Sequence, residues 1–170
     1  MLRVITAAAI QMDSKSDKQR NLHRSLKLIQ RAAERGAQLV GLPEVCNFIG
    51  PAEQARDMAE EIPGPTIECF QQAARRHAVY LLAGSILETN PDNPAKPFNT
   101  SCLIGPSGDL LGMYRKIHLF DVDLPGEFTY KESQERTCGD QPVVVDTSLG
   151  KIGLTICYDV RFPELYRRLS

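Results

Sequence analysis

Segments typical of strands and helices alternate from the start of the sequence, and this alternation restricts the possible folds more than any other feature. Residues 4–12 form a small, apolar run that predicts a strand buried on both faces of a sheet. A helix capped by Ser16 or Asp17 follows, with apolar residues at helical spacing, and Gly36 ends it. Residues 38–42 predict a second strand. Because a strand-helix-strand unit crosses over with a fixed hand, we expect these two strands to be parallel.

Later segments continue the pattern and predict the α/β class, with antiparallel strands added to the sheet. They are helices over residues 52–62 and from residue 66 to about 77, and strands over residues 79–87, 98–104, 110–115, 143–145 and 151–157. A proline- and glycine-containing turn at residues 106–109 joins two of these strands into a hairpin. The long stretch over residues 117–141 is irregular but carries aromatic side chains, so we expect an ordered lid or wall.

Composition excludes several classes of protein. The 170 residues are few enough to predict one domain. Lys plus Arg number 20 against 21 Asp plus Glu, so there is no excess of positive charge for binding nucleic acid or anionic lipid. No run is long and apolar enough to span a bilayer, and the first residues lack the apolar core of a signal peptide. The five cysteines form no CxxC pair, which favours free thiols in the reducing cytoplasm over disulfides or a zinc site.

Three chemically active side chains are expected where strands end. Glu44 follows the second strand, Lys116 ends the hairpin, and Cys157 ends the strand over residues 151–157. A carboxylate can take the proton of a thiol, and an ammonium group can stabilise the thiolate or an oxyanion. The backbone N–H of Tyr158 would add a second oxyanion donor. These residues predict nucleophilic catalysis by Cys157.

Spacing alone leaves two other interpretations open. A cysteine-histidine hydrolase would pair Cys157 with His118, His77 or His23. His118 is the strongest of these candidates, because it lies two residues after Lys116. A non-enzymatic α/β binding or scaffold protein would keep Cys157 buried and inert, as most free cysteines are.

Arg161 also has two possible roles. Its planar guanidinium could bind a carboxylate of the substrate, or it could form a structural ion pair with Asp159.

Three segments resemble the catalytic motifs of the nitrilase, or carbon-nitrogen hydrolase, superfamily. They are GLPE at residues 41–44, YRKIHL at residues 114–119 and GLTICYDVRFPEL at residues 153–165, in the family's order. The resemblance covers the chain from Val4 onward. It implies an α/β fold of the nitrilase type, an α-β-β-α sandwich, that commonly forms a homodimer or higher homo-oligomer. It also implies a Glu-Lys-Cys triad with no metal and no organic cofactor.

The resemblance assigns a role to each matching residue. Glu44 matches the general base, Lys116 the oxyanion-stabilising lysine and Cys157 the nucleophile, while Glu132 matches a further glutamate that supports catalysis. The implied reaction starts with attack of Cys157 on an amide carbon and releases ammonia or an amine. Water then hydrolyses the thioester to a carboxylic acid.

Two further segments narrow the implied substrate, a small-molecule amide. IHLFDVDLPG at residues 117–126 is similar to amidases acting on ω-amides of 2-oxo acids and on deaminated glutathione, and NFIG at residues 47–50 favours the latter. The alternatives are a nitrilase or N-carbamoyl hydrolase of the same superfamily, or a non-catalytic scaffold. The family's domain is longer than this chain. We therefore expect residues 1–170 to be a carbon-nitrogen hydrolase domain that is incomplete at the C-terminus.

Overall fold

A computed structural model describes residues 4–170, so the part of the opening segment that falls on residues 1–3 lies outside the described residues. A six-stranded mixed sheet forms the centre, and two smaller two-stranded sheets accompany it. No helix in this part of the chain has both the length and the apolar character needed to cross a membrane.

The first strand-helix-strand unit has the predicted parallel arrangement. Strand β1 (Ala7–Ala9) and strand β2 (Leu39–Gly41) run parallel, joined by helix α1 (Lys18–Glu34). Asp17 caps the helix by accepting a hydrogen bond from the Arg20 N–H at 2.9 Å. The expected burial of the first strand is wrong, since among residues 4–170 β1 lies at the edge of the sheet, pairs only with β2 and exposes two of its three alanines.

Two helices follow β2. Helix α3 (Pro65–His77) buries Ile67, Phe70 and Ala74 and packs beside α1. Helix α2 (Ala52–Asp57) is shorter than predicted. The helix ends early because Glu60 is buried and binds the start of α3. Its Oε2 accepts a hydrogen bond from the Thr66 N–H at 2.7 Å.

The strand predicted over residues 79–87 is interrupted. Strands β3 (Tyr80–Leu82) and β4 (Ile86–Glu88) pair with the same edge of β5 (Phe98–Ile104), with a shift of one residue between them. Gly84 in the interruption has φ 60°, and a Cβ atom there would lie 2.0 Å from the carbonyl oxygen of Pro43. This close approach requires glycine and brings the interruption against the loop that carries Glu44.

The predicted hairpin is confirmed, with β5 antiparallel to β6 (Leu110–Arg115) across the turn at residues 106–109. The stretch after it is ordered, but it is less irregular than predicted. It contains the antiparallel strands β7 (Asp121–Leu124) and β8 (Phe128–Lys131) and a 3₁₀ turn over Glu132–Gln134.

The last strand ends earlier than the sequence indicates. Strands β9 (Val144–Thr147) and β10 (Gly150–Gly153) form an antiparallel pair, and the expectation that a strand continues to Cys157 is wrong. The chain leaves the strand because the side chain of Asp159 accepts the Ile156 N–H at 2.9 Å. A 3₁₀ turn over Cys157–Arg161 results, and helix α4 (Pro163–Leu169) begins at a proline, which suits the first turn of a helix.

Candidate active site

Four candidate residues from separate segments meet at one cavity of about 200 Å³. Glu44 follows β2, Lys116 follows β6, Glu132 begins the 3₁₀ turn after β8, and Cys157 begins the 3₁₀ turn before α4. The remaining lining residues, which surround these four, are Val45, Asn99, Phe120, Tyr130 and Arg136.

Lys116 is the centre of the charged cluster. Its side chain is only 2% exposed, and its Nζ lies 3.0 Å from Glu44 Oε1 and 2.9 Å from Glu132 Oε2. Burial acts to lower the pKa of Lys116, but the two carboxylates outweigh it, and the net pKa is raised. A protonated ammonium group therefore faces the cavity at neutral pH.

Glu44 is held by two donors on the same oxygen. Its Oε1 accepts hydrogen bonds from Lys116 Nζ and, at 2.8 Å, from Asn99 Nδ2. Asn99 is buried in β5. The backbone carbonyl of Asn99 also accepts a hydrogen bond from the Lys116 backbone N–H at 2.9 Å. The register of the hairpin therefore places the Asn99 and Lys116 side chains together at the Glu44 carboxylate. The loop that carries Glu44 is also held against the interruption between β3 and β4, because the Val45 N–H donates to Ser85 Oγ at 2.9 Å.

Glu132 faces the ammonium group from the other side. Its side chain is 9% exposed, and its Oε2 accepts hydrogen bonds from Lys116 Nζ and from the Phe120 N–H at 2.7 Å. Glu132 Oε2 therefore holds in place both the Lys116 side chain and the segment just before β7. This geometry suits a residue that positions Lys116.

Cys157 has an accessible position and an unusual backbone. The residue is exposed, which is contrary to the interpretation of a buried, inert thiol. Its φ of 48° is rare for a residue with a side chain and directs the thiol toward the cavity from the start of a turn. Partial burial of the thiol, together with the charge and hydrogen bond of Glu44, raises the pKa of Cys157 to about 11. The thiol is therefore protonated at neutral pH.

Asp159 holds the turn that carries Cys157. It is completely buried and accepts hydrogen bonds from the Tyr114 hydroxyl at 2.7 Å, the Ile156 N–H at 2.9 Å and the His118 N–H at 3.1 Å. Its Oδ1 also lies 2.7 Å from His118 Nδ1. Burial and the contact with Asp159 raise the pKa of Tyr114, so its hydroxyl remains a donor.

The possible ion pair between Arg161 and Asp159 is not formed within residues 4–170, since Asp159 is committed to the partners above. Arg161 is exposed and does not line the cavity. The backbone N–H of Tyr158 lies in the first turn of the 3₁₀ helix, where a helix has no preceding carbonyl to accept it.

The structure brings no histidine of the described residues to this cavity. His118 stacks on Phe162, with ring centroids 3.7 Å apart, and its Nδ1 contacts Asp159. His23 and His77 line a different cavity, between α1 and α3. The cysteine-histidine alternative therefore has no support in the geometry.

Sequence reasoning missed Asn99 and Arg136. Asn99 could have been found from the hairpin register, because pairing Thr100 with Arg115 places Asn99 beside Lys116. Arg136 had no such signal, since it lies in a loop and reaches the cavity only through the 3₁₀ turn at Glu132–Gln134.

Comparison with known proteins gives consistent results. The family model described as carbon-nitrogen hydrolase matches residues 6–170. The chain is 44% identical over 153 residues to omega-amidase NIT2 of Xenopus tropicalis, which covers 90% of this chain and 54% of the relative. It is 43% identical over 166 residues to a deaminated glutathione amidase of Synechocystis, which covers 96% and 61%. The chain thus spans about half the length of the curated relatives it matches.

Solved structures share the fold. The NitFhit protein of C. elegans superposes with a TM-score of 0.85 at 36% identity, covering 95% of this chain and 41% of that one. Nit3 of Saccharomyces cerevisiae, a member of branch 10 of the nitrilase superfamily, gives a TM-score of 0.82 at 32% identity, covering 98% and 61%. The predicted α/β fold of the nitrilase type is confirmed.

Proposed function

The chain belongs to the carbon-nitrogen hydrolase family of the nitrilase superfamily, and we propose that it hydrolyses a linear amide of a small molecule through a thioester on Cys157. The observation that carries this proposal is the meeting of Glu44, Lys116 and Cys157 at one cavity of about 200 Å³. A nucleophile, a base and a cation are the groups that acyl transfer needs.

The first half of the reaction forms the thioester. Because the pKa of Cys157 is about 11, the thiol must lose its proton during attack, and Glu44 accepts it. Sulfur bonds to the amide carbon while the carbonyl oxygen becomes negative. Lys116 and the Tyr158 N–H stabilise that oxygen. The C–N bond then breaks, and the amine leaves with the proton held by Glu44.

The second half releases the acid. Glu44 takes a proton from water, which attacks the thioester carbon, and the carboxylic acid leaves as the proton returns to sulfur. Glu132 acts on Lys116 rather than on the substrate. Its 2.9 Å contact with Nζ supports a positioning role.

We propose an ω-amide of a 2-oxo acid or deaminated glutathione as the substrate, in line with the names of two relatives. The small cavity suits a short acyl chain at the reacting carbon. A nitrile or N-carbamoyl substrate would use the same residues, but no relative reported above carries such a name.

Further proposals concern the setting of the enzyme. Val160 and Tyr166, which are 64% and 40% exposed beside the Cys157 turn, support a homodimer or higher homo-oligomer. Five free cysteines support a reducing compartment, the cytoplasm. The coverage of relatives supports residues 1–170 as part of a longer carbon-nitrogen hydrolase domain.

The test is release of ammonia or amine from both substrates by the full chain and three variants. Cys157→Ala should abolish hydrolysis, and Lys116→Met should lower kcat by roughly 10²- to 10³-fold, as expected for loss of an oxyanion donor. His118→Ala should retain more activity than Lys116→Met, because His118 does not line the cavity. Full activity of Cys157→Ala, or a larger loss with His118→Ala than with Lys116→Met, would contradict the mechanism.

A further inference from the structure

Val45 has a backbone conformation that is unfavourable for its residue type. Among residues 4–170, three residues other than glycine have a positive φ: Val45 at 47°, Ala78 at 53° and Cys157 at 48°. For a residue with a branched Cβ, such as valine, this region is especially costly. Ala78 caps the C-terminal end of α3, where a left-handed residue is common. Val45 lies in the turn after β2, ends no helix, and lines the catalytic cavity.

Hydrogen bonds before and after its peptide hold Val45 in this conformation. The Val45 N–H donates to Ser85 Oγ at 2.9 Å, and the Cys46 N–H donates to the Ser85 carbonyl at 3.0 Å. The Cys46 carbonyl accepts a hydrogen bond from the Ser14 hydroxyl at 2.9 Å. Ser14 and Ser85 are both buried. Surrounding contacts of this kind can maintain a strained residue, and such residues cluster at functional sites.

The Val45 side chain is supported on the side away from solvent. It packs against a small apolar cluster. The buried members of this cluster are Phe48, Ala55 and Leu87, each 2% exposed. Because protein interiors are close-packed, a side chain with this support cannot recede easily from a bound molecule.

Val45 also differs chemically from the rest of the cavity lining. Among the described residues that line the cavity of about 200 Å³, it has the only aliphatic side chain. Glu44 and Cys157 line the same small cavity, so a molecule that reacts at Cys157 lies beside Val45. Val45 therefore forms a stiff apolar wall near the reacting carbon.

We propose that Val45 determines which acyl groups reach Cys157, by excluding those that branch at the carbon next to the reacting amide carbon. This inference rests on the proposed function and deepens it. The substrates are then amides with a CH₂ group beside the amide carbon. Glycine at this position would relax the backbone, but it would also remove the wall.

Two primary amides test the proposal in the full chain. The first is an ω-amide of a 2-oxo acid with a CH₂ group next to the amide carbon, and the second carries two methyl groups on that carbon. The test variants are Val45→Ala and Val45→Gly. Alanine is accommodated at a φ of 53° elsewhere in the chain, and glycine adopts positive φ freely. The matched control is Val144→Ala, which makes the same change at an exposed position outside the cavity.

Both Val45 variants should narrow the ratio of kcat/KM between the unbranched and the dimethyl amide. The expected change is roughly 10- to 200-fold, the effect of one methyl group in an apolar pocket. Val144→Ala should keep the ratio of the wild type. An unchanged ratio in a folded Val45 variant, or an equal narrowing in Val144→Ala, would overturn the inference.

Alkylation of Cys157 separates the inference from the proposed function, because it requires no hydrolysis. Iodoacetamide and its α-methyl homologue differ by one methyl group on the carbon that sulfur attacks. The exposed Cys138 is an internal reference for the intrinsic reactivity of the two reagents. The wild type should discriminate against the homologue roughly tenfold more at Cys157 than at Cys138, and Val45→Ala should remove this excess.

Equal discrimination at the two thiols would overturn the inference even if amides are hydrolysed. Excess discrimination at Cys157 that Val45→Ala removes, without hydrolysis of either amide by the wild type, would contradict the proposed function alone.

Discussion

Replacing Glu44 by glutamine should speed alkylation of Cys157 and slow amide hydrolysis. The pKa of Cys157 is about 11, against an ordinary value of 9.0, because of partial burial and then the charge and hydrogen bond of Glu44. Glutamine removes the negative charge, so the pKa should fall. Burial, the largest cause of the raised pKa, remains, so the fall should be smaller than the full two units and the thiolate fraction at pH 7 should rise by less than about 100-fold.

The gain in alkylation rate should be smaller than the gain in thiolate. A less basic thiolate is a weaker nucleophile, with a Brønsted coefficient of about 0.4 to 0.5, which cancels roughly tenfold of the increase. We therefore expect alkylation of Cys157 by iodoacetamide to accelerate by up to roughly tenfold. Amide hydrolysis should fall by about 10²- to 10⁴-fold, since the general base is lost.

The assay is time-resolved alkylation followed by peptide mass spectrometry, which separates Cys157 from Cys138, the other exposed thiol. Cys138 provides an internal reference, and Glu127→Gln is the matched control because Glu127 is an exposed glutamate outside the cavity. Slower alkylation of Cys157 in Glu44→Gln than in the wild type would refute the assigned cause of the raised pKa.

Three further substitutions test the supports of the site. Glu132→Gln should move the basic limb of the kcat/KM profile to lower pH, because Glu132 helps to raise the pKa of Lys116 and the lysine must stay protonated; an unmoved limb would contradict this. Asp159→Asn should lower the free energy of unfolding in urea by roughly 2 kcal/mol, since buried donors lose a charged acceptor, and wild-type stability would be contrary to that role. Gly84→Ala should destabilise by more than about 1 kcal/mol, because its Cβ meets backbone at 2.0 Å. Gly126→Ala, also at positive φ but with open space, should cost less, and equal losses would refute the steric argument.

Local patterns predicted the elements that depend on neighbouring residues. The cap at Asp17 and the turn at residues 106–109 follow from short-range geometry, and each has the expected form. These features were accessible because each depends on a few adjacent residues.

Element limits that depend on distant contacts were not predicted. The strand before Cys157 stops at Gly153 because Asp159 captures a backbone N–H, and the third strand is split at Gly84 because it meets the Pro43 carbonyl. Both interruptions lie beside the candidate site. The two interruptions were missed because an apolar run indicates only that the segment is buried. It does not indicate where a distant part of the chain will contact that segment.

The sequence by itself determined the α/β class and the family, because contiguous motifs carry them. The same motifs predict Glu44, Lys116 and Cys157 as site residues, and the loop between the last two motifs predicts Glu132. Tertiary structure alone decided which groups meet. It placed one ammonium between two carboxylates, committed the buried aspartate to the turn rather than to Arg161, and brought Arg136 to the wall of the cavity. Contacts of this kind join residues far apart in the chain, and their distances depend on how the sheet and loops pack.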